Sequence, residues 1–121
     1  MTRTVLTVDD SKSIRDMVAF TLGQQGFRVI AAVDGADGLS VFTSQKVDLV
    51  ITDLNMPNMN GFEFIEKARA SAANAGVPIV MLSTESDPGA RSRGKALGAT
   101  GWINKPFDAD MLTTVARKLL G

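Results

Sequence analysis

The sequence predicts an α/β fold, a doubly wound (βα)5 three-layer sandwich built on one parallel sheet. Three observations predict it. Short apolar runs rich in β-branched residues alternate with segments of helical periodicity from one end of the chain to the other. The runs are almost continuously apolar, as strands covered on both faces are. Acids, hydroxyls or a lysine follow four of the runs directly, where open α/β sheets gather their sites.

The first strand is "TVLTV" (Thr4 to Val8), closed by two acids. Ile14, Met17, Val18, Thr21 and Leu22 then recur at helical spacing, and "GQQG" (Gly23 to Gly26) ends that helix. "FRVIAAV" (Phe27 to Val33) reads as the second strand, and Asp34 starts a short helix whose core face is expected at Ala36, Leu39 and Phe42. "VDLVIT" (Val47 to Thr52) is the clearest strand. A helix from about Gly61 to Ala73 follows, turning Phe62, Ile65 and Ala68 inward.

"VPIVMLS" (Val77 to Ser83) is the fourth strand. The helix between Asp87 and Leu97 is weak, with Ala90, Ala96 and Leu97 as its apolar contacts and Gly89 and Gly94 inside it. "TGWIN" (Thr100 to Asn104) is the fifth strand. Asp108 is the expected N-cap of the last helix, which turns Met111, Leu112, Val115 and Leu119 to one side.

At 121 residues, 45% of them hydrophobic and 21% charged, the chain suits one globular domain spanning residues 1–121, with no room expected for an output domain. Thirteen basic residues balance thirteen acidic ones, so no bulk field favours nucleic acid or membrane. The start "MTRTVLTVDD" has no apolar core of a leader, and no apolar run approaches a membrane span. With zero cysteines as well, a cytoplasmic protein is expected. The chain has no histidine, which removes Ser-His-Asp triads and most zinc sites. Its chemistry must run on carboxylates, hydroxyls, amines and an oxygen-bound metal.

Asp9 and Asp10 follow the first strand, Asp53 the third, Ser83 and Thr84 the fourth, Asn104 and Lys105 the fifth. Asp34, after the second, reads better as a cap. If the strands lie in the order 2-1-3-4-5, the four polar ends are neighbours and meet in one pocket. Three carboxylates repel one another, so protonation or a cation must relieve them. Oxygen ligands alone suit a small hard cation such as Mg²⁺, held by carboxylates, waters and the backbone carbonyl of Asn55. With Lys105 as a mobile positive charge and Ser83 as a donor, the set has the parts for phosphoryl transfer onto an acid. Each residue alone has a plainer reading: Asp9 and Asp10 as helix caps, Asp53 as a turn residue, Lys105 as a solvated lysine. The specificity lies in their joint placement.

Through "VDDSKSIR", "ITDLNMPNMNG", "PIVMLSTES" and "GATGWINKPF", the sequence resembles the receiver domain of bacterial two-component response regulators over essentially its whole length. Within that family it is similar to the stand-alone chemotaxis regulators. The resemblance implies a flavodoxin-like fold. The order 2-1-3-4-5 comes from the family, whose sheet is a standard example of the doubly wound kind, and not from motif spacing. The resemblance also implies that Asp53 is the phosphoacceptor, that Asp9 and Asp10 are the metal-binding pair, and that Asn55 lends its carbonyl to the metal. Ser83 matches the switch hydroxyl and Lys105 the lysine of the Lys-Pro turn. Trp102 stands where the family's aromatic switch residue is usually Tyr or Phe, and Thr84 where Ala or Gly is frequent. Glu85 and Asn55 flank the path of a hydrolytic water.

The function expected is a phosphorylation-activated switch that takes a phosphoryl group from a histidine kinase with Mg²⁺. It would signal by protein contact, with the flagellar motor switch as the expected target. The protein is expected to be a monomer, and to phosphorylate and dephosphorylate itself rather than turn over an external substrate; a phosphatase partner stays open. A phosphate sink or relay intermediate has the same site. An aspartyl phosphohydrolase would want a second acid where Asn55 stands, and a flavodoxin would want a Ser/Thr-rich phosphate loop after the first strand.

Overall fold

The structure, a computed structural model, describes residues 2–84 and 88–120. Five strands alternate with five helices: β1 (Thr4–Val8), α1 (Lys12–Gln24), β2 (Arg28–Ala32), α2 (Gly35–Ser44), β3 (Leu49–Asp53), α3 (Gly61–Ala70), β4 (Ile79–Ser83), α4 (Pro88–Leu97), β5 (Gly101–Asn104) and α5 (Ala109–Leu120). All strand pairs are parallel, in the order β2-β1-β3-β4-β5. The expected flavodoxin-like three-layer sandwich is the observed one.

Alternate residues of each central strand feed two cores, because successive side chains of a strand point to opposite faces. Leu6, Val8, Val50, Ile79 and Met81 pack with α2 and α3 through Phe42, Phe62, Phe64 and Ile65. Val5, Leu49, Ile51, Val80 and Leu82 pack with α1 and α5 through Val18, Leu22, Leu112 and Ala116. Every residue of β1, β3 and β4 is buried, which is why these strands carry no polar alternation. β2 lies at the edge, and Val33 beyond it is exposed.

Several faces differ from the sequence reading. In α2, Gly35, Gly38 and Phe42 are buried while Ala36 is exposed. A Cβ on Gly38 would sit 2.7 Å from Val8 Cγ2, so the absence of a side chain is what lets α2 lie on β1. In α4 the buried residue is Gly94, against the Trp102 ring, while Ala90 and Leu97 are half-buried and Ala96 is exposed. In α5 Leu112, Ala116 and Leu120 are buried and Met111 is exposed. α3 stops at Ala70, three residues before the expected Ala73: Ser71 caps it, and Asn74 turns the chain at a positive φ of 47°. Asn74 is held there by donating to the carbonyls of Phe42 and Gln45.

The caps explain the starts. Ser11, not Asp9 or Asp10, is the N-cap of α1, Asp34 accepts from Asp37 N at 2.8 Å, and Asp108 accepts from Met111 N at 2.8 Å. Asn60 and Glu63 form a reciprocal capping box on α3. No helix among the described residues is long and apolar enough to cross a membrane.

Candidate functional site

Four strand ends converge as the sheet order requires. Asp9 follows β1, Asp53 is the last residue of β3, Ser83 the last of β4, and Lys105 follows β5. Asp9 and Asp53 are buried, whereas Asp10 is exposed. One carboxylate oxygen from each of Asp9, Asp10 and Asp53 lies within 4.8 Å of the other two. The Lys105 ammonium donates to Asp53 Oδ1 at 3.1 Å and to Asp9 Oδ2 at 3.5 Å.

The backbone fixes this arrangement. Asp9 N donates to Ala32 O, and Asp9 Oδ1 accepts from Ser11 N at 2.9 Å. Beyond Asp53, Leu54 N donates to Leu82 O and Gly61 N to Leu54 O, so the β3–α3 loop returns tightly. A Cβ on Gly61 would meet Asp53 O at 2.6 Å and Met81 Sδ at 2.7 Å. Glycine is therefore needed where α3 is pressed onto the strand that carries Asp53. Lys105 N donates to Ser83 O at 2.8 Å, tying the lysine to β4, and the Lys105–Pro106 peptide is cis.

Burial pushes the Asp9 carboxyl above its ordinary pKa, and the neighbouring Asp53 charge pushes the same way; the Ser11 N–H and Lys105 oppose them. One ammonium faces three acids, so the cluster has excess negative charge and only oxygen donors. That donor set fits a small divalent cation. Asn55 is exposed two residues past Asp53, and its carbonyl accepts no hydrogen bond among the described residues.

Ser83 is buried beside this cluster. Thr84 is exposed and, with Ile14, Met17, Lys105, Pro106 and Phe107, lines an apolar cavity of about 410 Å³ next to the acids. Trp102 is not in the pocket: it lies two residues before Asn104, its ring 6.5 Å from Phe62 and under Gly94 of α4, with the Arg91 guanidinium 5.9 Å away. Its buried Nε1 has no hydrogen-bond partner among the described residues. Glu85 lies outside the described residues.

Sequence reasoning missed Gly61 and Arg15. Arg15 Nη1 donates to the Asp9 carbonyl at 2.8 Å. A glycine after Asn60 reads as an ordinary helix start, and an arginine six residues past an acid reads as a solvated helix residue, so neither pattern separates them from the common case.

The family model described as the response regulator receiver domain matches residues 5–117. The chain belongs to that family. The receiver domain superposes with a TM-score of 0.94 on the Vibrio cholerae chemotaxis protein CheY4, at 42% identity, over 98% of this chain and 99% of that one. It is 38% identical to the alkaline phosphatase synthesis transcriptional regulatory protein SphR of Synechococcus elongatus, over 96% of this chain and 48% of SphR. It is 37% identical to the CAI-1 autoinducer sensor kinase/phosphatase CqsS of Vibrio cholerae, over 91% of this chain and 16% of CqsS. The receiver domain thus spans about half, or less, of these curated relatives.

Proposed function

We propose that this receiver domain is a phosphorylation-activated switch whose phosphoacceptor is Asp53. The observation that carries the proposal is the Lys105 ammonium bridging Asp53 and Asp9, with Asp10 in the same cluster, at the C-terminal ends of adjacent strands. An Asp53 carboxylate oxygen forms the new O–P bond as the N–P bond of a phosphohistidine breaks in line, and the leaving imidazole takes a proton from water. Asp9, Asp10, Asp53 and the Asn55 carbonyl would hold Mg²⁺, which when bound supplies charge neutralisation to the phosphoryl oxygens. Lys105 follows the new charge from the carboxylate to the phosphoryl oxygens, and the Ser83 hydroxyl turns to donate to them.

The donor histidine lies outside these 121 residues, which contain none. A histidine kinase is the donor we assign. The aspartyl phosphate is lost to water, so the domain resets itself instead of turning over an external substrate, with or without a phosphatase. Output runs through protein contact at α4, β5 and α5. The likeness to CheY4 over nearly both whole chains supports a cytoplasmic chemotaxis role, with the flagellar motor switch as target and a monomer as the acting form.

The test is incubation with acetyl phosphate and MgCl₂ followed by intact-mass measurement. One added phosphoryl group is expected in the wild type and none in Asp53→Asn; an unchanged mass shift in the variant would refute the assignment. Binding of the phosphorylated form to a motor switch protein separates the motor reading from that of a phosphate sink.

A further inference from the structure

Among the described residues, Asp10 is the acid of the cluster whose carboxylate has no hydrogen-bond partner. Its carboxylate is exposed and makes no hydrogen bond among the described residues, whereas Asp9 is bonded through its amide N–H, its carbonyl and both carboxylate oxygens. Asp10 also lies beyond the end of β1, so the sheet does not set its direction. Its Cα is carried by the peptide plane that joins it to Asp9.

The Asp9 carbonyl and the Asp10 N–H belong to one rigid plane. Arg15, in the first turn of α1, reaches back and donates to that carbonyl at 2.8 Å. The bond, donated from α1 by a planar guanidinium, restrains the rotation of the plane and so the position of the Asp10 Cα from which its side chain leaves. We infer that Arg15 is a positioning residue for the divalent-cation pocket: through the Asp9 carbonyl it aims the Asp10 carboxylate at Asp9 and Asp53. The inference rests on the metal reading of the acid cluster.

Two effects of Arg15 oppose each other. Its positive charge, held at the Asp9 carbonyl, works against a second cation in the pocket; its hydrogen bond favours that cation by pre-aiming a ligand. Groups that hold a metal ligand from behind typically change affinity by about 10- to 100-fold. Arg15 is only half-buried, so its charge is screened by water and salt and is worth less. The aiming effect therefore wins, and loss of Arg15 weakens binding although it removes a repelling charge.

The experiment is calorimetric titration of MgCl₂ into the whole protein at about 150 mM salt, for wild type, Arg15→Met, Arg15→Lys, Asp10→Asn and the Arg15→Met/Asp10→Asn pair. Arg15→Met should bind about tenfold more weakly, and Arg15→Lys, which keeps a donor, should recover part of the loss. In the Asp10→Asn background Arg15→Met should add nothing, since its effect runs through the missing carboxylate. Melting curves in EDTA serve as the control, and an Arg15→Met variant that melts as the wild type does localises the loss to the pocket. If that variant does not fold, Arg15→Lys alone decides: weaker binding supports the inference and unchanged binding overturns it. Unchanged or tighter Mg²⁺ binding in Arg15→Met, or an additive double variant, overturns the inference. A wild type that takes up no Mg²⁺ overturns the metal reading itself.

Discussion

Asp9 is bonded at both carboxylate oxygens and still sits uneasily as an anion, because burial together with the Asp53 charge outweighs the Ser11 N–H and the Lys105 ammonium in setting its affinity for a proton. A folded-state pKa above the unfolded 3.8 means the native state holds this proton more tightly. Its contribution is favourable below the unfolded pKa and is lost as pH rises through the raised folded value, so at neutral pH the ionised group destabilises the metal-free fold. With EDTA present near neutral pH, Asp9→Asn is expected to raise Tm. The gain should vanish when the melt is repeated below the unfolded pKa. Thr7 carries a different cost: its hydroxyl is fully buried in β1 with no partner among the described residues. Thr7→Val keeps the shape and removes the orphan, and a gain of about 1 kcal/mol in a urea melt is expected; a loss would mean that a water satisfies the hydroxyl.

At the scale of elements, the strands were legible and two helix faces only in part: Leu39, Phe42, Ala90 and Leu97 face the core as expected, while Ala36 and Ala96 do not, for one physical reason. Strand identity rests on apolar, β-branched runs, and those of β1, β3 and β4 are buried from end to end. In α2 and α4 the close approaches to the sheet are made at Gly38 and Gly94, which have no side chain to give an apolar signal. The eye is drawn instead to Ala36 and Ala96, both exposed. The site was legible for the same reason as the strands, since its acids and lysine sit at strand ends; Arg15 acts from a helix turn and leaves no such mark. α4 follows from its composition: three cations, no acid and two glycines between Pro88 and Leu97, with Gly94 as its buried residue. Its few apolar anchors predict opening well below the global stability. Amide hydrogen exchange should show α4 exchanging at least about tenfold faster than β3 and β4 under native conditions, and equal protection would refute the weak-helix reading.

For the whole molecule, metal and fold are linked. If the acid cluster binds Mg²⁺ only when the four strand ends are assembled, excess cation stabilises the native state by about 2.7 kcal/mol at roughly a hundredfold excess over its Kd. Thermal melts across a MgCl₂ series should climb accordingly, and Asp10→Asn should flatten the climb. A curve that ignores Mg²⁺ would dissociate the cluster from any metal role.

Lys105 stands 52 residues from Asp53 and 96 from Asp9, and the three are brought together through the sheet. No hairpin or short fragment contains the site, and no local folding event builds it. Contacts so distant in sequence form only once the loop entropy between them has been overcome. If Asp53 is the phosphoacceptor, its reactivity is a certificate of completion: a chain still being made, or one that has lost its last strand, lacks the lysine beside the acids, and a phosphoryl group would enter only through molecules that have finished folding.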